Sequence, residues 1–191
     1  MVETGQRASP LAKRGTTRPE DTKILEFGCG REKHPGAFGV DWSKDSHADL
    51  IHNLEDTPYP LPSDHYTHVY ATAIIEHLRD VDAFVREIHR VCAPGATVAI
   101  RTPHFSSWYA YSDPTHIHIF GYHFLDLYVH CPSTLCMEPL FEYEHRELVF
   151  SRAPRLAGIS RLANRYPARY EQLFAFMFPC ENLDVRLKAL K

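Results

Sequence analysis

The apolar positions of this chain fall into two rhythms. Lys23-Ile-Leu-Glu-Phe27 is a short run of β-forming residues that stops at a glycine turn, Gly28-Cys-Gly30. Ala37–Trp42, Asp49–Leu54 and His68–Ile74 read as three further strands. The last is apolar nearly throughout, as expected when both faces of a strand are covered. The period then changes. Val81, Phe84, Val85, Ile88, Val91 and Cys92 lie at i, i+3, i+4, i+7, i+10 and i+11, one stripe of an amphipathic helix. Asp80 suits its N-cap, Asp82 its first turn, and Pro94-Gly95 its end. Ala96–Pro103 predicts a fifth strand. Pro58, Pro60 and Pro62 dictate a loop before the fourth strand, because proline interrupts both helix and central strand.

Beyond the fifth strand comes a stretch rich in histidine and aromatic residues, His104 to His123. Phe124–Val129 predicts a short helix and Leu140–Phe150 a long strand. Ile159 and Leu162 mark one helical piece. Pro167 opens another, with Tyr170, Leu173, Phe174 and Met177 at helical spacing. Leu183, Val185, Leu187 and Ala189 alternate and predict a last strand. Strands interleaved with a helix or crossover loops indicate an α/β domain with a mainly parallel sheet. Ligands of such sheets sit beyond the carboxyl ends of the strands. That rule singles out Gly28–Gly30, Asp41, Asn53-Leu54, Ala71-Thr72 and His104. Residues 1–20 carry polar and basic residues with no period and read as a flexible tail, leaving 21–191 as one domain.

Composition narrows the classes. A chain of 191 residues, 44% apolar and 24% charged, can bury one core, which excludes a disordered chain and a small disulfide scaffold. No window holds the roughly 18 consecutive apolar residues of a membrane helix. Met1–Asp21 has no apolar segment, so no secretory signal is expected. The net charge of −3 argues against a large cationic surface for nucleic acid. The five cysteines, Cys29, Cys92, Cys131, Cys136 and Cys180, include no CxxC pair and read as reduced thiols of a cytoplasmic protein.

The glycine turn after the first strand lets a ligand lie directly on backbone, whose N–H groups can hold a carboxylate or phosphate. Asp41, ending the second strand, can accept both hydroxyl protons of a ribose. A nicotinamide dinucleotide is disfavoured. The turn lacks a third glycine, and Asp41 arrives well before the usual gap of roughly 20 residues.

Four segments in order, Leu25-Glu-Phe-Gly-Cys-Gly30, Gly39-Val-Asp41, Ile75-Glu-His-Leu78 and Arg86-Glu-Ile-His-Arg-Val-Cys-Ala-Pro-Gly95, resemble the class I S-adenosylmethionine-dependent methyltransferases. Arg101-Thr-Pro-His-Phe-Ser-Ser107 and Ser112-Asp-Pro-Thr-His116 look like a short bacterial-type subgroup. The resemblance covers Lys23 to about Phe120 well and the rest loosely. It implies a Rossmann-like seven-strand, mainly parallel sheet with the last strand antiparallel. It implies S-adenosylmethionine as cofactor and in-line methyl transfer to a small-molecule or saccharide acceptor. A non-catalytic module that binds the same nucleoside is the alternative. Glu26, Gly28 and Gly30 would face the methionine part and Asp41 the ribose. Asn53 and Leu54 would lie against the adenine, with Asn53 standing where many relatives have Asp. An amide keeps an acceptor oxygen for the adenine amino group. Ala71 and Thr72 would line the pocket under the sulfonium.

The chain departs from the full pattern in its first crossovers. Seven residues separate Gly30 from Phe38 and six separate Trp42 from Asp49. A right-handed parallel crossover takes a dozen or more. The early helices are therefore missing, and one sheet face needs another cover. Residues 155–180, a C-terminal helical insertion with Tyr166, Tyr170, Leu173, Phe174 and Met177, are expected to supply it, with a second subunit of a homodimer as a further source. Arg31 and Lys33 either hold the methionine carboxylate or are solvated loop charges.

The histidine-rich stretch admits three readings. His116-x-His118 with Asp113 or His104 could bind a metal, although spacing supplies no certain third ligand and no metal is expected. Trp108, Tyr109 and Tyr111 could stack on the acceptor, with His104 first and His116 second as proton acceptor. The histidines could also be structural. The second reading is adopted, with His77 as a further acceptor contact. Neither nucleic acid nor a membrane is expected as partner.

Overall fold

The computed structural model describes residues 18–130, 138–152 and 158–191. Of the expected tail, residues 1–17 lie outside this set, as do Cys131, Cys136 and residues 153–157. Pro19–Asp21 forms a 3-10 turn that leads into the sheet.

Seven strands form one sheet: β1 (Ile24–Phe27), β2 (Phe38–Asp41), β3 (Leu50–Ile51), β4 (Tyr66–Thr72), β5 (Cys92–Pro103), β6 (Phe141–Val149) and β7 (Asn182–Ala189). Their spatial order is β3-β2-β1-β4-β5-β7-β6. The first five are mutually parallel, and β7 runs antiparallel to both β5 and β6. This is the seven-strand, mainly parallel α/β sheet expected from the sequence, with the last strand reversed.

Helix α1 (Val81–Val91) joins β4 to β5. The Asp80 carboxylate accepts from the Ala83 N–H at 2.8 Å, the N-cap read from sequence. The helix ends at Val91, before Pro94-Gly95. Ala93 precedes a proline and is pushed out of the helical region, so Cys92 already starts the strand. The stripe Phe84, Val85, Ile88 and Val91 is buried against Leu25, Phe27, Val69, Val98 and Ile100. Pairing register puts Val185 and Leu187 on that same face.

The other face takes the alternate residues: Glu26, His68, Tyr70, Thr72, Arg101, Asp184, Arg186 and Lys188. The expected cover does not reach it. Helices α4 (Ile159–Arg165) and α5 (Pro167–Leu173) sit instead at the β6 edge and beyond the end of β5; two shorter helices, α2 (Tyr109–Ser112) and α3 (Asp126–His130), precede β6. Asn164 of α4 pairs with the Leu148 backbone, accepting at 2.7 Å and donating at 2.9 Å. Of the residues expected to form the cover, Tyr170 is buried, whereas Tyr166, Leu173, Phe174 and Met177 are exposed. The uncovered face is stable in water for a different reason: it is polar. Arg101 pairs with Asp184 at 3.3 Å and Lys188 with Glu142 at 2.9 Å, and His34 stacks on Tyr70 at 4.4 Å. Ion pairs of this exposed kind stabilise little; their effect is to remove the need for a cover.

Candidate active site

The site grows from the turn after β1. Gly28 and Gly30 have φ of +66° and +52°, a region side chains rarely adopt. A Cβ on Gly28 would stand 2.9 Å from Ile74 Cγ1. The Asp41 carboxylate closes the turn onto β2: Oδ2 accepts from Gly30 N–H and Oδ1 from Ser43 N–H, both at 2.8 Å. Each oxygen keeps a second lone pair, so Asp41 can accept two further hydroxyl protons. Cys29, between the glycines, is no nucleophile. Burial, then Asp41 and Glu26, push its thiol up to about 11. Lys33 pairs with Asp49, which itself accepts from Gly39 N–H at 2.8 Å, so this lysine holds the shortened crossover in place.

A cleft of about 930 Å³ opens beside this turn. The turn and strand ends contribute Gly28, Asp41, Asn53 and Leu54; the rest of the lining includes Ile74, packed against Gly28, with His77, Arg79 and Thr115. Its size suits a nucleotide-sized ligand with room for a second molecule. The loop carrying Leu54 is pinned from below. Tyr59 O–H donates to the Leu54 carbonyl at 2.8 Å, and Tyr59 N–H donates to Glu87 of α1 at 2.7 Å. Burial alone would raise the Glu87 carboxyl, but hydrogen bonds from Arg90 and Tyr59 N–H outweigh it and hold it below the usual range. Across the rim, Arg79 N–H donates to Glu55 at 2.8 Å.

Of the residues expected to meet the cofactor, Gly28, Asp41, Asn53 and Leu54 line this cleft together. Glu26, Gly30, Ala71 and Thr72 do not. Glu26 points to the polar face and accepts from His34 N–H at 2.6 Å. Gly30 acts through its bond to Asp41. Ala71 is buried on the α1 face, and Thr72 lies on the polar one. The lining after β4 comes from Ala73, at φ +50°, and Ile74. Nothing in the local pattern marks that strained alanine, or the exposed Trp42 at the rim, as site residues.

The histidines separate. His104 is fully buried, with Nδ1 2.8 Å from Ser106 Oγ and Nε2 3.1 Å from Glu171 Oε1 of α5. Both nitrogens are occupied and the ring is outside the cleft lining. Glu171 also accepts from Tyr122 N–H. Burial opposes its charge, but these bonds hold its carboxyl below the usual range. His77 lines the cleft, and its ring lies 4.7 Å from His116, which in turn lies 5.8 Å from Tyr109. Trp108, Tyr109 and Tyr111 are exposed on and beside α2 rather than in the cleft lining. His118 Nε2 lies 3.3 Å from the Arg79 carbonyl, and Asp113 accepts from Thr115. Glu76, between β4 and α1, is buried; its carbonyl accepts from Ile117 and His118 N–H, tying the histidine-rich loop to the cleft wall.

Residues 4–131 match the family described as a methyltransferase domain. The chain belongs to that family. The match spans about two thirds of the chain. A stretch of 58 residues is 43% identical to Methyltransferase tpcH of Aspergillus fumigatus, covering 30% of this chain and 20% of that protein. In architecture the chain resembles an S-adenosylmethionine-dependent methyltransferase from Archaeoglobus fulgidus, at TM-score 0.55 and 18% identity over 87% of this chain and 86% of that one. It is similar also to one from Mesorhizobium loti, at TM-score 0.53 and 16% identity over 92% and 94%. Among the described residues, no helix is long and apolar enough to cross a membrane.

Proposed function

We propose that this methyltransferase moves the methyl group of S-adenosylmethionine to a small-molecule or saccharide acceptor in the cytoplasm. One observation carries the reading. Gly28, Asp41, Asn53 and Leu54, from three separate strand ends, share a single cleft whose lining also carries His77. Asp41 would take the ribose hydroxyls, Asn53 and Leu54 the adenine, and the bare Gly28 backbone the methionine part. The half of the cleft bounded by His77, Thr115 and Ile117 is left for the acceptor. A near-neutral chain with that aromatic and histidine-rich border suits a small polyhydroxy or aromatic molecule rather than a nucleic acid. Cys29, Cys92 and Cys180, free and buried, fit a reducing compartment.

The chemistry is an in-line displacement. The acceptor lone pair forms a bond to the methyl carbon as the carbon–sulfur bond breaks. The bonding pair stays on sulfur, and S-adenosylhomocysteine leaves. Positioning supplies most of the rate, on the scale of effective molarities of about 10⁵–10⁸ M. A hydroxyl acceptor must also lose its proton. His104 is sealed from the cleft by Ser106 and Glu171, so this reading turns to His77, which lines the cleft, and to His116, whose ring is 4.7 Å from it.

Calorimetric titration tests the cofactor half. Wild type should bind S-adenosylhomocysteine at one site, and Asp41→Asn should bind it at least about tenfold more weakly, one hydrogen bond to a charged group being worth about 1.5–3 kcal/mol. Radiolabelled methyl transfer to a panel of saccharides and phenols tests the acceptor half. No heat with either cofactor form would end the proposal.

A further inference from the structure

Three ligand-capable side chains meet at His77, which lines the cleft. Glu76 and His77 follow one another in the 3-10 turn Ile75–His77, and His116 comes from the loop after α2. Their ligand atoms all lie within 4.8 Å of one another. His116 Nδ1 is 3.0 Å from the Ala110 carbonyl oxygen. His77 Nδ1 is 3.3 Å from the Thr115 carbonyl oxygen and 2.9 Å from its hydroxyl. A carbonyl only accepts, so each ring donates from Nδ1, and the neutral form of each keeps its lone pair on Nε2. A histidine that binds a metal is oriented in this way, its other nitrogen donating to a backbone carbonyl.

A second observation is independent of the histidines. Glu76 is 1% exposed. Its Oε2 accepts from Thr102 O–H at 3.0 Å, while Oε1 is buried with no hydrogen-bond partner among the described residues. An unmet buried carboxylate oxygen costs stability unless a proton or a cation satisfies it.

We propose that Glu76, His77 and His116 form a site for a divalent transition-metal ion at the acceptor end of the cleft. Two imidazoles and one carboxylate suit zinc, cobalt, manganese or iron(II) better than magnesium or calcium. Metal–ligand distances of about 2.0–2.2 Å require the three groups to draw in slightly, which two loop-borne histidines can do. Three protein ligands leave open positions. His77 lines the cleft, so a metal on its ring would stand beside the space left for an acceptor. The inference rests on the methyl-transfer reading and assigns its acceptor class: a hydroxyl or adjacent hydroxyls. The bound hydroxyl loses its proton to water, as metal-bound oxygens do near neutral pH. Its oxygen then forms the bond to the methyl carbon while the sulfur keeps the electron pair. No oxidation state changes. The ligand set differs from the one spacing suggested, because His118 turns to Arg79, Asp113 to Thr115, and His104 to Ser106 and Glu171.

The test uses the tag-free full chain stripped with chelator. Titration with Co²⁺, read by visible absorption, should saturate at one equivalent and reverse with Zn²⁺. His77→Ala and His116→Ala, both at partly exposed positions, should each weaken Co²⁺ binding at least about tenfold with an unchanged circular dichroism spectrum; Glu76→Gln should do the same if it folds. Absence of saturable Co²⁺ binding, or wild-type affinity in both histidine variants, overturns the site. S-adenosylhomocysteine is titrated into the same stripped sample. Cobalt binding without it supports the metal site and removes the methyl-transfer reading. Its binding without cobalt does the reverse.

Discussion

Gly28→Ala isolates the physical requirement at the centre of the cleft. Two costs arise together. Alanine at φ +66° pays the left-handed penalty, about 1–2 kcal/mol. Its Cβ would also stand 2.9 Å from Ile74 Cγ1 and 3.0 Å from Ile74 Cβ and Cδ1. Ile74 is β-branched and packs against the core, so it cannot swing clear, and crowding of this kind costs about 1–3 kcal/mol. The sum is about 2–5 kcal/mol, or roughly 4–20 °C in Tm for a chain of this size. Gly30→Ala is the internal control. Its φ is +52°, yet nothing lies within 4 Å of the added Cβ, so only the left-handed penalty remains. Urea unfolding of the two variants should therefore differ by about 1–3 kcal/mol. Placing Gly28→Ala in an Ile74→Ala background removes two of the three crowding atoms and should cut its cost toward that of Gly30→Ala. Equal losses for the two glycine variants, or no coupling to Ile74, would refute the claim that close approach shapes this turn. A second reading follows with ligand present. Wild type should gain about 2.7 kcal/mol at a hundredfold excess of S-adenosylhomocysteine over Kd, and Gly28→Ala should gain less at the same concentration.

Glu171→Gln should lower stability by about 2–3 kcal/mol at neutral pH, because it removes charge-assisted bonds to His104 and Tyr122 N–H. The folded carboxyl is held below its unfolded value, so its contribution is full above the unfolded pKa and is lost as pH falls through the folded one. Urea midpoints of wild type and variant should therefore converge on acidification through that window, and parallel curves would contradict it. Asn164→Ala strands the Leu148 N–H and carbonyl at the β6 edge and should cost about 1–3 kcal/mol. Amide exchange at Leu148 should accelerate in that variant, and unchanged protection would show that α4 is not fastened there. Leu173→Ser and Met177→Ser, at exposed positions, should leave the urea midpoint within about 0.5 kcal/mol, whereas a large loss would restore the idea that this segment covers the core.

Much of the architecture was legible along the chain. The i, i+3, i+4 stripe of α1 and the alternation of β7 are local signals, and local periodicity is what a strand or helix must satisfy to bury one face. The short spans after Gly30 and Trp42 already excluded two crossover helices by reach alone. Glycines and an acid at consecutive strand ends marked the cofactor half of the cleft, since parallel topology carries those ends to one edge. Three things needed the folded chain. One is that the face without helices is covered by no helix among the described residues; its alternate positions are polar, which only the pairing register reveals. Another is which histidine faces the cleft. His104 ends its strand where a catalytic group is expected, yet α5 arrives from 67 residues away and closes over it with Glu171. The last is the meeting of Glu76, His77 and His116, joined across 39 residues because the Glu76 carbonyl fastens the distant loop. Periodicity constrains a residue against its near neighbours, whereas a buried hydrogen bond or a shared ligand couples residues the chain itself keeps apart, and only packing decides those.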